Sequence, residues 1–280
     1  MLLELAIGDA YGAGFEYASP DVVRRLNDAT RYVQHPRHRA TRPGMYTDDT
    51  QMSLAVAEAL VSGERWSREH LASRFVEVFH RDPRTGYAGG FYSFLQEVHS
   101  GEEFLARIRP HSDKSGAAMR AAPLGVLPTI GEVIDRCRIQ AALTHDTPDG
   151  IHAAQASALM THYCLYDLGP LTRVGAFLAG QVPGQWAIPW SGKVGSKGWM
   201  SVRAAVTAVR RNTSLTALLR DCIAFTGDVD TVATIALAAA SCSRDYEQDL
   251  PENLIAGLEN GPYGRDYLID LDRKLLVLKA

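Results

Sequence analysis

The stretch TDDTQMSLAVAEALV, residues 47–61, joins two adjacent carboxylates to an apolar run. Apolar side chains recur in it at the spacing of one helix face, and Gly63 follows as a typical stop signal, which predicts a helix over 48–61. The stretch DVDTVATIALAAA, residues 228–240, has the same design, because carboxylates and a threonine open a helix-like run rich in alanine. Each stretch therefore predicts a helix that begins with acidic residues.

Helix-type spacing extends over most of the chain. It predicts a helix over 67–80, with Ser67 as the N-cap, and helices over eight further ranges: 90–99, 115–122, 130–143, 149–165, 170–180, 198–211, 214–224 and 229–241. Sustained alternation of β-branched and polar residues, the signal of a strand, is nearly absent. We therefore expect an all-α protein with ten or more helices. Because no flexible linker, low-complexity tract or internal repeat interrupts the pattern, we expect residues 1–280 to form a single compact domain.

Composition narrows the classes of function. The 280 residues are 46% hydrophobic and 22% charged, as in an ordinary globular enzyme, and the formal net charge of −3 argues against binding nucleic acid through bulk charge. The start of the chain lacks the basic region of a signal peptide, and no apolar stretch reaches the length of a membrane span. The chain has four widely spaced cysteines in apolar segments: Cys137, Cys164, Cys222 and Cys242. This pattern predicts buried free thiols in a reducing compartment, and thus a cytoplasmic protein.

Residues 24–43 differ in character from the rest of the chain. They carry six arginines, and Pro36 and Pro43 exclude a continuous helix. A solvated loop is the more common meaning of such a segment. The alternative is a flap over a phosphate-bearing substrate, because the segment leads directly into Thr47-Asp48-Asp49 and arginine binds phosphate oxygens in pairs.

Two aspartate clusters, Thr47–Thr50 and Asp228–Thr231, offer hard oxygen ligands. Asp228 and Asp230 are two residues apart, so both can point to one side of a turn that leads into a helix. One cluster alone would more often be a helix cap, because the free N–H groups and the dipole of a helix N-terminus stabilise carboxylates. Two matching clusters offer four carboxylates and two hydroxyls, enough for two octahedral Mg²⁺-type ions, and without cations these carboxylates would repel one another.

Five motifs occur in the order known from one protein family. They are GDAYGAGFE over 8–16, TDDTQM over 47–52, SGAAMR over 115–120 with Pro123 and Gly125 after it, Thr144-His145, and TGDVDT over 226–231. On these motifs the chain resembles the ADP-ribosylglycohydrolase family. That family includes the dinitrogenase-reductase-activating glycohydrolases and the ADP-ribosyl-acceptor hydrolases.

The resemblance implies an orthogonal all-α fold with two Mg²⁺ or Mn²⁺ ions in a central cleft. The metal ligands that it implies are Thr47, Asp48, Asp49, Asp228, Asp230 and Thr231. It also implies that Glu16 lies close to the metals and acts in catalysis together with Asp48 and Asp49. The substrate contacts that it implies are Asp113, Lys114, Ser115, Gly116, Met119 and His145.

The family cleaves the bond between the distal ribose C1 of ADP-ribose and an acceptor, and these residue types suit that reaction. Carboxylates stabilise an oxocarbenium-like state or activate water, and metals hold ribose hydroxyls and lower the pKa of a bound water. Backbone N–H groups around Gly116 can bind the diphosphate. Tyr87, Phe91 or Trp199 could stack on the adenine, although such aromatics are more often core residues.

The chain departs from the family pattern outside the metal ligands. Ser115 and Thr226 stand where the family usually has Asn and Gly, and HSDK at 111–114 replaces a glycine-rich run. No metal ligand is lost. The departures affect the substrate loop, so they leave the acceptor open.

We therefore expect a metal-dependent ADP-ribosyl hydrolase that releases ADP-ribose from a modified protein side chain or nucleic acid, reversing ADP-ribosylation. The alternative is a catalytically weak family member that binds ADP-ribose or neutralises a toxin as an immunity protein. A metal phosphohydrolase is disfavoured because His145-Asp146 has no partner histidines at suitable spacing. The acceptor (arginine, serine, acetyl-ADP-ribose or a nucleobase), the choice between Mg²⁺ and Mn²⁺, and the oligomeric state stay open.

Overall fold

The computed structural model describes residues 1–279, and this part of the chain is all-α. Its α-helices have these bounds: α1 Leu2–Gly12, α2 Pro20–Leu26, α3 Asp48–Val61, α4 Arg68–Arg81, α5 Gly89–Glu97, α6 Gly101–Arg107, α7 Gly116–Met119, α8 Ile130–Ala142, α9 Pro148–Leu165, α10 Val174–Gln181, α11 Gly198–Arg211, α12 Leu215–Ala224, α13 Val229–Ala240, α14 Glu252–Gly257 and α15 Arg265–Val277. Two short 3₁₀-helices lie at Ala122–Val126 and Leu171–Arg173. Residues 1–279 contain isolated β-bridges but no strand. In the same residues, no helix has both the length and the apolarity that crossing a membrane requires.

The all-α prediction is confirmed, and every predicted range contains a helix. The range 115–122 is broken, because α7 ends at Met119 and a 3₁₀-helix follows in which Pro123 lacks a backbone donor. Five helices were not predicted: α1, α2, α6, α14 and α15. The helix α1 is buried along most of its length, which removes the polar half of the periodic pattern. The helices α2, α6 and α14 have seven residues or fewer, too short to show a period.

Local signals set the boundary between α3 and α4 as predicted. The helix α3 ends at Val61, and Gly63 has a φ of +72°, a left-handed conformation that glycine adopts without steric cost. Ser67 Oγ accepts a hydrogen bond of 3.2 Å from the His70 backbone N–H. That bond satisfies one of the donors that a helix start leaves without a partner.

Two glycines in α1 bring this helix against α13. A Cβ on Gly8 would lie 2.7 Å from the Ala233 backbone oxygen, and a Cβ on Gly12 would lie 2.8 Å from the Asp230 backbone nitrogen. Both distances are shorter than ordinary van der Waals contact. Gly8 and Gly12 are one helical turn apart and share a face, so the two backbones approach closely along it. This contact sets the distance between the loop after α1, which carries Glu16, and the acidic start of α13.

The core lies around α13 and α3. Every residue of α13 is buried, and so is every residue of α3 except Val61. The helices α1, α9, α11 and α12 pack against α13, and α4 packs against α3. Buried hydrophobic side chains form one continuous cluster from Met1 to Leu275. This continuity supports our proposal that residues 1–280 form a single domain.

The segment 24–43 is anchored by a buried histidine. His35 Nδ1 accepts hydrogen bonds from the backbone N–H groups of Arg37 and His38, at 3.1 and 2.9 Å. Because Nδ1 accepts twice, the ring proton is on Nε2, which donates to the Glu16 carbonyl oxygen at 2.8 Å. The segment therefore holds the backbone of Glu16 in place.

The four cysteines are free, as predicted. Cys137, Cys164 and Cys222 are buried, whereas Cys242 is half-buried. The prediction of burial is therefore correct for three of them, and Cys242 differs because it lies just after the end of α13.

Candidate active site

A cavity of about 700 Å³ lies beside the N-termini of α3 and α13. These two helix starts carry the two aspartate clusters, so the fold brings the clusters together although most of the chain separates them. The cavity is lined by an acidic group of five carboxylates: Glu16, Asp48, Asp49, Asp228 and Asp230. Thr231 lines it as well.

Three carboxylates of the acidic group lie close together. One side-chain oxygen from each of Glu16, Asp228 and Asp230 lies within 4.8 Å of the other two. Asp49 Oδ2 and Asp230 Oδ1 are buried and have no hydrogen-bond partner among the described residues. Asp228 Oδ2 accepts a hydrogen bond of 3.3 Å from Ser201 Oγ, a residue that the motifs did not indicate.

Burial raises the pKa of each carboxyl in the acidic group. The pKa of Glu16 rises to about 7, first because the side chain is removed from water and then because the charges of Asp228 and Asp9 oppose its ionisation. Burial likewise raises the pKa of the four aspartates of the group: Asp48, Asp49, Asp228 and Asp230. Negative charge is therefore unfavourable here unless a cation balances it.

The residues of the acidic group fit divalent cations. Carboxylate and hydroxyl oxygens are the ligands that Mg²⁺ and Mn²⁺ prefer. A cation would offset the repulsion among these carboxylates and would give Asp49 Oδ2 and Asp230 Oδ1 the partner that residues 1–279 do not supply. Gly86, with a φ of +105°, lies so close to Asp48 Oδ1 that a side chain there would collide with this carboxylate.

Asp9, inside α1, holds the first aspartate cluster in place. Its Oδ2 accepts the backbone N–H groups of Thr47 and Thr50, both at 2.9 Å, and the Thr50 hydroxyl at 2.5 Å. Its Oδ1 accepts the Thr47 hydroxyl at 2.7 Å. Asp9 thus caps α3 from another helix, whereas the Thr47 side chain makes no cap of its own. The sequence analysis gave Asp9 no role, although a carboxylate within an apolar helical run signals buried partners.

A strained turn precedes the second aspartate cluster. Thr226 and Gly227 both have positive φ, +62° and +94°. Val194 closes the turn, since its N–H donates to the Thr226 carbonyl at 2.9 Å and its carbonyl accepts the Asp228 N–H at 3.2 Å. The left-handed region is unfavourable for a β-branched residue, so the threonine at the position where the family usually has glycine introduces strain.

Five of the six predicted substrate contacts line the cavity: Lys114, Ser115, Gly116, Met119 and His145. Asp113 differs, because its carboxylate pairs with Lys197 and it is not among the lining residues. Thr47 is not among them either, since Asp9 holds its hydroxyl. The roles of Asp113 as a substrate contact and of Thr47 as a metal ligand stay predictions.

The cavity also has an aromatic wall and a basic rim. Tyr87, Phe91 and Phe94 line it, and the rings of Phe91 and Phe94 are stacked with centroids 6.0 Å apart. Trp199, named with Tyr87 and Phe91 as a possible adenine partner, instead lines a separate cavity. The basic rim consists of three exposed cations that line the cavity: Arg107, Arg109 and Lys114.

The arginines of the segment 24–43 are not among the residues that line the cavity in the described part of the chain. The Arg37 guanidinium donates to the Tyr17 carbonyl oxygen at 3.2 Å, beside the cavity. The sequence analysis did not single out Arg107 and Arg109, because isolated arginines give no motif. A role of the segment 24–43 as a substrate flap stays a prediction.

Comparison with known families agrees with the motifs. The family model described as ADP-ribosylglycohydrolase matches residues 1–280. The chain belongs to the ADP-ribosylglycohydrolase family. A solved structure of an ADP-ribosylglycohydrolase-related protein complex shares the fold, with a TM-score of 0.75 over 100% of this chain and 96% of that chain, at 22% identity.

Relatives within the family are matched over part of their length. ADP-ribosylhydrolase ARH3 of Xenopus tropicalis is 31% identical over 180 residues, which cover 61% of this chain and 51% of that protein. The ADP-ribosyl-dinitrogen reductase glycohydrolase of Rhodospirillum rubrum is 27% identical over 169 residues, which cover 58% of this chain and 56% of that protein. The chain thus spans about half the length of the curated relatives that it matches.

Proposed function

We propose that this family member is a hydrolase, dependent on divalent metal, that cleaves the glycosidic bond between ADP-ribose and a modified acceptor. The acceptor is a protein side chain or a nucleic acid, and the reaction reverses ADP-ribosylation. The observation that carries the proposal is the acidic group beside the cavity, in which two buried carboxylate oxygens have no hydrogen-bond partner in the described part of the chain. Similarity to proteins named ADP-ribosylhydrolase and glycohydrolase supports the same reaction class.

The distribution of charge in the cavity suits an ADP-ribosyl group. Sites for small molecules commonly measure about 300–1,000 Å³, and the cavity falls within that range at about 700 Å³. The four aspartates of the acidic group are buried and Glu16 is half-buried, whereas the basic rim is exposed. The distal ribose would lie at the acidic group, the diphosphate toward Arg109 and Lys114, and the adenine against Phe91.

The acidic group would hold two Mg²⁺ or Mn²⁺ ions. Its carboxylates would be joined by the hydroxyls of Thr47 and Thr231 as ligands. The Thr47 hydroxyl donates its proton to Asp9, which leaves the lone pairs of its oxygen available to a cation. When bound, such ions polarise oxygens and lower the pKa of water.

Glu16 is the proposed general base. A general base must lie within reach of the proton that it accepts, and the Glu16 carboxylate lines the cavity with one oxygen within 4.8 Å of oxygens of Asp228 and Asp230. Its carboxylate would accept a proton from the water that attacks the ribose C1. The nearby Asp48 and Asp49 would take part in catalysis by holding the cations and by stabilising positive charge at C1. His35 holds the Glu16 backbone during this step.

A hydrolysis panel tests the proposal. ADP-ribosyl-arginine, an ADP-ribosyl-serine peptide, O-acetyl-ADP-ribose and an ADP-ribosylated nucleobase are each incubated with Mg²⁺, Mn²⁺ or chelator. We expect release of ADP-ribose from at least one acceptor, dependent on metal and lost in Asp230→Asn. Asp245→Asn is the matched control, because it removes an exposed carboxylate that does not line the cavity.

The panel also separates the alternative functions. No release from any acceptor, or equal release with chelator, would refute a metal-dependent hydrolase. Binding of ADP-ribose without turnover would favour the catalytically weak binding or immunity protein instead. Activity on the nucleobase substrate alone would assign nucleic acid as the acceptor class.

A further inference from the structure

Arg120 is a buried cation that the proposed reaction leaves unexplained. Its side chain is 1% exposed, and its guanidinium lies 4.6 Å from the centre of the Phe75 ring. Its hydrogen-bond acceptors among the described residues are neutral, namely the side-chain and backbone oxygens of Gln140, at 2.7 and 3.0 Å, and the Thr144 hydroxyl, at 2.9 Å. A buried charge is costly, so this arrangement needs a reason.

The hydrogen bonds of Arg120 determine where the protons lie on its neighbours. A guanidinium can only donate, so the Thr144 oxygen must accept from Arg120. Among the described residues, His145 Nδ1 at 2.7 Å is the one remaining acceptor within reach of the Thr144 hydroxyl, so the hydroxyl directs its hydrogen there. His145 Nδ1 is therefore an acceptor without a proton, and a neutral ring must carry its proton on Nε2.

The edge of the His145 ring that bears Nε2 lies at the cavity. Gly116 and His145 both line the cavity, and a Cβ on Gly116 would lie 3.1 Å from His145 Cε1 and 3.4 Å from Nε2. No hydrogen bond joins Nε2 to the described residues, and this atom is not among the fully buried ones. The Nε2–H is therefore available to a ligand.

The surroundings of His145 keep its ring neutral. Burial is the largest effect, and the charge of Arg120 adds to it, so the pKa of His145 falls to about 3. Lys114 acts in the same direction, whereas Asp113 opposes it. The lowered pKa of His145 thus agrees with the hydrogen-bond pattern, since both indicate a neutral ring.

We propose that Arg120 and Thr144 hold His145 as a neutral imidazole with its proton on Nε2, so that the ring presents a fixed donor to an acceptor oxygen of the ligand. Arg120 and Thr144 are positioning residues that act through His145. The identity of the ligand, an ADP-ribosyl group with ribose and phosphate oxygens, rests on the proposed function. A ligand that offers only a donor at this position is not recognised.

Nitrogen NMR of the whole protein tests the tautomer directly. Protein labelled with ¹⁵N at its nine histidines is recorded at neutral pH, and the His145 signals are assigned by their loss in His145→Gln. We expect an unprotonated, pyridine-type Nδ1 and a protonated, pyrrole-type Nε2 in the wild type. Thr144→Val removes the donor to Nδ1 and should mix the two tautomers, whereas Thr144→Ser should restore the wild-type pattern.

Binding of ADP-ribose, measured by calorimetry, tests the consequence for the ligand. We expect Thr144→Val to weaken affinity by roughly 3- to 10-fold, the effect of one neutral hydrogen bond, and Thr144→Ser to restore it. Thr161→Val is the matched control, because the Thr161 hydroxyl is also buried but has no partner among the described residues. It should alter neither the nitrogen signals nor the affinity.

Several results would overturn the inference. A protonated His145 Nδ1 in the wild type would overturn it without any variant, so the test does not depend on whether Thr144→Val folds. Thr144→Val that folds and keeps both the wild-type tautomer and the wild-type affinity would also overturn it. Failure of the proposed function is distinguishable, because a wild type that hydrolyses no ADP-ribosyl linkage would refute that function while the nitrogen signals still decide the tautomer.

Discussion

Substitution of Gly12 tests how the contact between α1 and α13 builds the acidic group. Gly12→Ala would place a Cβ 2.8 Å from the Asp230 backbone nitrogen and 2.9 Å from Asp230 Cβ, with Asp230 Cα closer still. Ordinary contacts between such atoms are about 3.5–4.0 Å, so relieving the shortest contact, to Asp230 Cα, requires the two helices to separate by more than ~1 Å. Because interiors are closely packed, this movement strains the neighbouring contacts as well.

The expected energy follows from two opposing terms. Inserting a methyl group into a packed contact costs about 1–3 kcal/mol, whereas replacing glycine by alanine in a helix contributes about 0.5–1 kcal/mol of stability. We expect the free energy of unfolding of Gly12→Ala to fall by about 1–2 kcal/mol. Displacement of Asp230 should also weaken Mn²⁺ binding by about 10- to 100-fold, the usual effect of disturbing the support of a metal ligand.

Urea unfolding followed by circular dichroism measures the stability, and calorimetric titration with Mn²⁺ measures the affinity. Gly180→Ala is the matched control, because Gly180 lies near the end of α10 and a Cβ there meets nothing within 4 Å. That variant should be slightly more stable than the wild type and should bind Mn²⁺ equally well. If Gly12→Ala instead behaves like Gly180→Ala in both assays, the packing argument is wrong.

Four further predictions follow from the site. Mn²⁺ at 100 times its dissociation constant should stabilise the wild type by about 2.7 kcal/mol for each ion bound, and Asp230→Ala should remove both this stabilisation and activity while keeping its helical circular dichroism; a melting temperature that does not change with Mn²⁺ would count against the site. Glu16→Gln should slow single-turnover hydrolysis by about 10²- to 10⁴-fold and change ADP-ribose affinity less, whereas a wild-type rate would exclude the general-base role. In chelator, the free energy of unfolding should fall as the pH rises from 4.5 to about 7, because the folded acidic group, Glu16 and its four aspartates, retains protons that the unfolded chain has already released; urea curves that show increasing stability across this interval would contradict the raised pKa values. Thr226→Gly should raise stability by roughly 0.5–1 kcal/mol, since relief of about 1–2 kcal/mol of left-handed strain exceeds the added freedom of the unfolded chain, and Thr226→Ala, which keeps the strain, should show no such gain.

The residues that make up the site could be predicted from the sequence better than the residues that hold them in place. The clusters at Asp48-Asp49 and Asp228-Asp230 line one cavity as expected, because each begins a helix and both helix starts are local properties of the chain. Asp9 was missed as a cap, since its partners Thr47 and Thr50 are far away in sequence and become neighbours through packing alone.

The substrate side of the cavity shows the same limit. Four residues of the motif at 115–120 line the cavity, namely Ser115, Gly116, Met119 and Arg120, but the sequence could not show that the Asp113 carboxylate pairs with Lys197. Nor could it show that the buried Arg120 is linked to His145 through Thr144, because the acceptors of Arg120, Gln140 and Thr144, lie on and just after a different helix.

By itself, the sequence determined the all-α class, the ends of α3 and α4, the family, and the oxygen-rich chemistry of the two aspartate clusters. These properties depend on contacts within a few residues, such as the Ser67 cap, or on the residue types themselves. The tertiary structure alone decided that α1 and α13 touch through Gly8 and Gly12, that Asp9 caps α3, and that the Thr144 hydroxyl lies between Arg120 and His145. Those features depend on close packing and on the direction of single hydrogen bonds between distant segments, which no local pattern encodes.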